Sequence, residues 1–276
     1  MSASELVRIG PAPRIAVEHA GRGPLVVFMH GIGGNRGNWS EQLQALADRF
    51  HVAAWDARGY GASDDYEGPL DFADFSADLA RVLDHFGAAS AHLVGLSMGG
   101  MIAQHFYRRS PQRVGSLVLA DTRNRIERHN SDEFLRQREA PLLAGLTPAD
   151  IAPRLARALA GPNAGPEALE RLRASVAALR KDSYLKVLRA TTKILEHPDF
   201  RGRGTFLDLE TVAVPTLVLC GTEDNVTPPE LSRAIAEGVR AARLVWIEGA
   251  GHLSNIEQPA QFSRALRDFL LSAARK

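Results

Sequence analysis

Residues 92–100 read HLVGLSMGG, and this stretch decides the fold because it joins a buried strand, a sharp turn and the start of a helix. The apolar residues before Gly95 are typical of a strand covered on both faces, as in a parallel sheet. The pattern over 98–109 predicts an amphipathic helix. Ser97 lies between the two, with glycines two positions before and after it. Because those glycines relieve crowding, we expect a strained turn that exposes the Ser97 hydroxyl.

Similar apolar segments recur along the chain, with helical patterns between them. Strands are predicted at 25–29, 52–55, 92–96, 115–120, 215–220 and 244–247, and helices at 40–49, 72–86, 98–109, 229–238 and 258–272. Strands that alternate with helices indicate an α/β fold with a mostly parallel central sheet flanked by helices.

Residues 122–210, called the cap segment below, interrupt this alternation. They are rich in Ala, Leu and Arg, carry Pro and Gly between helical stretches, and show no strand pattern. The strand patterns on both sides are needed to complete one sheet. We therefore expect a core domain formed by 1–121 and 211–276, with 122–210 inserted as a helical cap or lid.

Two later loops supply the partners that a reactive serine needs. GTEDNVTPP at 221–229 places Asp224 after one predicted strand, and GAGHLSNIEQP at 249–259 places His252 after the next. Catalytic groups gather at the carboxyl ends of parallel strands. The order Ser, Asp, His fits a nucleophile, an orienting acid and a general base, so Ser97, Asp224 and His252 are the predicted catalytic triad.

Several residues compete with these assignments. Asp121, which ends the segment LVLAD, is an alternative acid, and Glu223 is the neighbour of Asp224. His30 follows a strand but precedes Ser97 in the chain, which favours a structural role. Cys220 closes the apolar run TLVLC and is interpreted as a small buried hydrophobe.

The glycine-rich segment FMHGIGGNRGNW at 28–39 follows the first strong strand. It predicts an oxyanion hole formed by the backbone N–H groups of Ile32 and Met98. A dinucleotide-binding loop is the rival interpretation, because two glycines with one residue between them follow a strand. The third glycine position holds Arg36, which argues against it.

Composition narrows the function class. The net charge of +1 and the absence of a basic run argue against nucleic-acid binding. The N-terminus has no apolar signal region and the apolar runs are strand-sized, so a cytoplasmic protein without membrane contact is expected. One cysteine excludes an intrachain disulfide. Histidine spacing shows no metal-ligand pair, and the predicted chemistry needs no metal or cofactor.

The motifs HGIGG, DARGYGASD, GLSMGGMIAQ, GTEDNVTP and GAGHLSNIEQP together resemble the α/β-hydrolase superfamily. The resemblance covers about 22–121 and 211–274, and the core is most similar to 3-oxoadipate enol-lactonase-like and small carboxylesterase members. It implies a serine hydrolase that cleaves a small carboxylic ester or lactone through an acyl-enzyme. The meta-cleavage C–C hydrolases tend to carry asparagine where this chain has Leu96.

The cap segment leaves the substrate open. It is basic, and Arg123 near its start is a candidate ligand for a substrate carboxylate, with a solvated helix face as the alternative. Tyr184 is a candidate pocket residue, although its spacing also fits the core of the cap. Two other functions also stay open, a C–C bond hydrolase acting on a diketone with the same triad and a ligand-binding receptor of hydrolase fold. The choice between monomer and homodimer is undecided.

Overall fold

An eight-stranded sheet forms the centre of the computed structural model, which describes residues 4–126, 128–192, 194 and 204–274. The strands are β1 Glu5–Ile9, β2 Ile15–Ala20, β3 Leu25–Met29, β4 His51–Trp55, β5 Ala91–Leu96, β6 Val114–Ala120, β7 Thr216–Gly221 and β8 Ala242–Ile247. Their order across the sheet is β1-β2-β4-β3-β5-β6-β7-β8. From β4 to β8 every neighbouring pair is parallel, and β2 joins β1 and β4 antiparallel. The predicted mostly parallel α/β sheet is confirmed.

The helices lie between these strands as the sequence pattern indicates. They are α1 Ser40–Leu46, α2 Phe72–His85, α3 Met98–Arg109, α4 Arg128–Leu143, α5 Pro148–Leu159, α6 Pro166–Ala177, α7 Lys181–Thr192, α8 Pro229–Gly238, α9 Ser254–Glu257 and α10 Pro259–Ala273. Apolar side chains of α2, α3 and α8 pack on one face of the sheet, and those of α1 and α10 pack on the other. Both faces of the central strands are therefore covered, which explains their continuous apolar runs.

The N-terminal hairpin of β1 and β2 is absent from the predicted elements. Strand β1 is largely exposed along its length because it is the outermost strand of the sheet. It therefore lacks the continuous apolar run of the central strands. Its register with β2 pairs Glu5 with His19 and Ile9 with Ile15. An edge strand of this kind carries little periodic signal, since only part of one face is buried.

Helices α4 to α7 supply the described helical part of the cap segment, and an isolated bridge between Arg125 and Thr205 is also present. Buried residues of α5, α6 and α7 belong to the same apolar cluster as α1 and α10. The division of the chain into a core and a cap domain stays a prediction. Among the described residues, no helix is both long enough and apolar enough to cross a membrane.

Candidate active site

Ser97 occupies the turn between β5 and α3, in a conformation that residues other than glycine rarely adopt. Its φ is 55° and its ψ is −116°. The turn is fixed on both sides, because the Ser97 N–H donates to Ala120 O at 2.9 Å and the Thr122 hydroxyl donates to Ser97 O at 2.7 Å. A Cβ on Gly95 would lie 2.2 Å from Gly99 O. The half-buried Ser97 side chain is thus held in a strained turn at the carboxyl end of β5. The side of the sheet formed by the carboxyl ends of the parallel strands is called the sheet edge below.

His252 and Asp224 form a hydrogen-bonded chain with Ser97. The distance from His252 Nε2 to Ser97 Oγ is 3.0 Å, and His252 Nδ1 lies 2.9 Å from Asp224 Oδ2. A carboxylate only accepts hydrogen bonds, so this pairing places the imidazole proton on Nδ1 and leaves Nε2 as the acceptor for the serine hydroxyl. The structure therefore brings together the three side chains predicted from the loops.

Asp224 is surrounded by donors, although its side chain is fully buried. Its Oδ1 accepts from the N–H groups of Val226 at 2.8 Å and Thr227 at 2.9 Å, and its Oδ2 accepts from the Thr227 hydroxyl at 2.6 Å. Burial acts to raise the pKa of Asp224, but His252 and the Thr227 donors outweigh it and lower that pKa. The carboxyl group is consequently kept ionised.

Neither of the two competing acids is hydrogen-bonded to His252 within the described part of the chain. Asp121 directly follows β6 and bonds to Gly221 and Ser254 rather than to His252. Glu223 is exposed. Thr227, which completes the surroundings of Asp224, is not among the residues predicted from sequence. The signal available in the sequence is the aspartate itself, whose side chain commonly bonds to backbone N–H groups a few residues later and so brings those residues close.

The loop after β3 passes directly beside Ser97. A Cβ on Gly31 would lie 3.0 Å from the Ser97 Cβ, so a side chain here would require Ser97 to shift by a few tenths of an ångström. Met98 is the first residue of α3, and its N–H therefore has no partner within the helix. The Ile32 N–H makes no hydrogen bond within the described part of the chain. Two N–H groups near the serine are thus available to a substrate oxygen.

His30 supports this loop, in agreement with the structural role predicted for it. Its ring is buried, with Nδ1 2.8 Å from Gly31 O and Nε2 accepting from the Ala57 N–H at 3.1 Å. Burial lowers the pKa of His30, so the ring is neutral and carries its proton on Nδ1. Both ring nitrogens then hold backbone groups.

A cavity of about 80 Å³ opens beside Ser97 and His252. Its apolar lining residues are Ile32, Met101, Ile126, Phe134, Leu159 and Val226, and its polar ones are Ser97, Thr122, Arg123, Arg138, Thr191, Thr192, Thr227 and His252. The cap segment thus contributes the outer wall, and the sheet edge contributes the reactive groups. A smaller space of about 20 Å³ lies on the side of the glycine-rich loop, next to Gly33 and Ser175.

Of the two predicted substrate-binding residues, Arg123 lines the cavity and Tyr184 does not. One Arg123 nitrogen donates to Val226 O at 2.9 Å, and no carboxylate pairs with this guanidinium among the described residues. Burial lowers the pKa of Arg123, with Asp224 acting in the opposite direction. Tyr184 is 1% exposed and packs among apolar residues of the cap and the sheet. Arg138, which carries no distinguishing pattern in the sequence, adds a second guanidinium to the cavity.

The loop of His252 is tied to the cap by backbone contacts. The His252 N–H donates to Leu159 O at 3.0 Å, and Glu257 Oε2 accepts from both Gly161 N–H at 2.8 Å and Gly251 N–H at 3.0 Å. Glu257 therefore fixes the end of α5 against the loop that carries the imidazole. No local motif signals this role, because the two partners are 96 residues apart.

Comparison with known proteins places these features in a family. A family model of the alpha/beta hydrolase fold matches residues 24–259. The 3-oxoadipate enol-lactonase 2 of Acinetobacter baylyi is 29% identical over 248 residues, which are 88% of this chain and 87% of that protein. A Mycobacterium tuberculosis protein named as a non-heme bromoperoxidase is 31% identical over 264 residues, which are 94% of this chain and 98% of that protein.

A solved structure also matches this fold. A thermophilic esterase from Thermogutta terrifontis matches with a TM-score of 0.85 and 29% sequence identity, and the match covers 99% of both chains. The similarity thus includes the cap segment as well as the sheet, and the predicted fold is confirmed over the whole described chain.

Proposed function

Since the chain belongs to the α/β-hydrolase family, we propose that it hydrolyses small carboxylic esters or lactones through an acyl-enzyme formed on Ser97. The observation that carries the proposal is the continuous hydrogen-bonded chain from Ser97 through His252 to Asp224 at the wall of a cavity. Relatives named as an enol-lactonase and an esterase support the choice of an ester or lactone bond.

The reaction follows from the positions of these groups. Ser97 Oγ attacks the carbonyl carbon while His252 Nε2 takes its proton, and Asp224 balances the charge that develops on the imidazole. The N–H groups of Ile32 and Met98 bind the oxyanion. As the tetrahedral intermediate collapses, the bond to the leaving alcohol oxygen breaks and His252 returns the proton to that oxygen. Water then repeats the sequence and releases the acid.

The shape of the cavity bears on the acyl group. We expect the cavity of about 80 Å³ beside Ser97 to favour short acyl chains. Arg123 faces this space with a guanidinium that has only a backbone carbonyl as partner among the described residues. A substrate carboxylate could pair with this guanidinium through a two-point hydrogen bond. Short esters or lactones that carry a carboxylate are therefore the expected substrates.

Hydrolysis of a defined panel tests the proposal. The panel holds p-nitrophenyl acetate, butyrate and octanoate, a small lactone, a short ester with a free carboxylate and a meta-cleavage diketone. We expect turnover of the short esters and lactone, and loss of about 10⁵-fold or more in kcat in Ser97→Ala. Ser90→Ala is the matched control, because Ser90 is an exposed serine just before the start of the same strand.

Three outcomes would contradict the proposal. An unchanged rate in Ser97→Ala would remove the nucleophile. Activity confined to the diketone would replace ester cleavage by C–C cleavage. A folded protein that turns over no member but is stabilised by one of them would indicate a binding role.

A further inference from the structure

A second buried carboxyl group lies behind Asp224. Asp121 is the first residue after β6 and its side chain has no exposure to solvent. One carboxyl oxygen of Asp121, one of Asp224 and the Cys220 sulfur all lie within 4.8 Å of one another. The proposed reaction uses only Asp224, so the presence of a second acid at this depth needs its own explanation.

The hydrogen bonds of Asp121 join the two loops of the proposed triad. Its Oδ1 accepts from the Gly221 N–H at 2.8 Å, three residues before Asp224. Its Oδ2 is hydrogen-bonded to the Ser254 hydroxyl, two residues after His252. A single side chain on the neighbouring strand therefore contacts the base of both loops.

The two carboxyl groups differ in how many donors surround them. Asp224 has two N–H groups, one hydroxyl and the imidazole, which is the environment of a carboxylate. Asp121 has one N–H and one hydroxyl, and a hydroxyl can accept as readily as it donates. Two carboxylates this close in a buried site are not both ionised at neutral pH, so the negative charge belongs on Asp224.

The groups that face Asp121 point in the same direction. Burial raises the pKa of Asp121, the charge of Asp224 raises it further and Glu257 of α9 adds to the effect, while the bonds to Ser254 and Gly221 oppose them. Cys220 of β7 is a further titratable neighbour, and burial raises the pKa of its thiol to about 12. His252 bonds to Asp224 rather than to Asp121.

We propose that Asp121 is a neutral carboxylic acid and a positioning residue that fixes the loops of Asp224 and His252 against the end of β6. The idea rests on the proposed function. The acid proton lies on Oδ2 and is donated to Ser254 Oγ, while Oδ1 keeps the Gly221 N–H. A charged Asp121 would repel Asp224, and an apolar side chain would leave two buried polar groups without a partner.

The backbone at this position permits a sharp test. Asp121 has a φ of 45°, in the left-handed region that aspartate and asparagine tolerate better than other residues with a side chain. Asparagine also copies the neutral acid, because its amide NH₂ donates to Ser254 and its oxygen accepts from Gly221. Asp121→Asn is therefore compatible with the fold and with the proposed protonation state.

The experiment compares Asp121→Asn, Asp121→Ala and Asp224→Asn with p-nitrophenyl acetate from pH 6 to 10. Asp121→Asn should keep kcat within about threefold near pH 7.5, and Asp121→Ala should lose about 10- to 100-fold with KM little changed. Asp224→Asn should lose about 10⁴-fold. We expect kcat of the wild type to fall at alkaline pH, because Asp121 ionises there. Asp121→Asn has no group to ionise at this position, so its kcat should not show that fall. A loss in Asp121→Asn as large as in Asp121→Ala would overturn the proposal.

An infrared measurement reads the protonation state without any turnover. The wild type at neutral pH should show the carbonyl stretch of a protonated carboxylic acid, shifted in D₂O and absent from Asp121→Asn. Its absence from the wild type would refute a neutral Asp121, even if the chain proved inactive on every ester. If Asp121→Asn fails to fold, Ser254→Ala removes one of the two bonds, and an unchanged kcat in it would equally count against the proposal.

Discussion

The sheet edge and the cap segment meet at the same cavity but hold their side chains in different ways. At the sheet edge, Ser97 is fixed by backbone geometry, with a strained φ, a glycine two residues before and after it, and a loop in direct contact. In the cap, residues such as Phe134 and Arg138 reach the cavity from helices, through side chains with several rotatable bonds. The Ser97 turn is thus fixed by main-chain contacts, whereas the cap contributes to the cavity through side chains.

This difference separates chemistry from selectivity. Reactive groups must be held within fractions of an ångström, which is the reason for placing them on short turns at strand ends. Recognition of a substrate tolerates more variation, and it changes whenever the helices present different side chains. We therefore expect substitutions at the sheet edge to lower kcat for every substrate, and substitutions facing the cavity to alter the ratio between substrates.

The largest expected effect belongs to the sheet edge. His252→Gln keeps a side chain that can bond to Asp224 but cannot act as a base, so kcat for p-nitrophenyl acetate should fall by about 10⁴-fold or more. The fall should be alike for neutral and anionic esters. Steady-state assays with both substrates measure the fall in kcat, and circular dichroism is the control for folding. A loss confined to one substrate class would mean that His252 acts in recognition, and the proposed separation would fail.

An intermediate effect is expected where Arg123 faces the cavity. Arg123→Leu removes the guanidinium proposed to bind a substrate carboxylate, and charged hydrogen bonds of this kind contribute about 1.5–3 kcal/mol. The ratio of kcat/KM for mono-p-nitrophenyl succinate to that for p-nitrophenyl butyrate should drop by about 10- to 100-fold. The two substrates have similar acyl lengths, so the ratio isolates the charge.

Arg123→Lys is the matched variant for this comparison. It keeps the positive charge but loses the planar fork, so it should retain part of the preference. An unchanged ratio in Arg123→Leu would show that Arg123 only supports the loop through Val226 O. A fall in both rates with a constant ratio would lead to the same conclusion.

The same contrast governs how much could be predicted from sequence. The turn at Ser97 and the loops of Asp224 and His252 carry their own signals, because glycines, strand ends and chain order are local and cumulative. The position of each predicted central strand agrees with the structure to within two residues at either end. Local patterns were sufficient there because each element must satisfy its own backbone and bury its own apolar face.

Apart from the local bond from Thr227 to Asp224, the site contacts that the sequence does not reveal are long-range side-chain contacts. Glu257 bonds to Gly161, and Arg138 reaches the cavity beside Arg123, although neither pair is marked by spacing. Tyr184 illustrates the converse, since its helical position was equally compatible with the cavity and with the core where it lies. The helical period predicts on which face of a helix a residue lies. Which part of the protein packs against that face depends on the whole fold.

The smallest expected effect tests the sheet without touching the proposed chemistry. His92 lies near the start of β5, the strand that ends just before Ser97, with Nδ1 2.8 Å from the Ser116 hydroxyl. Burial lowers the pKa of His92 below its ordinary value of 6.5. In acid the unfolded chain therefore binds a proton more readily than the folded one, so stability is complete above about pH 6.5 and falls as the pH is lowered. Between pH 7.5 and pH 5, the Tm of His92→Gln should fall by a few degrees less than the Tm of the wild type, with kcat at pH 7.5 unchanged.

An equal fall in Tm for the two proteins would assign the acid sensitivity to other buried groups. A lower kcat would show that the far end of the strand does influence Ser97.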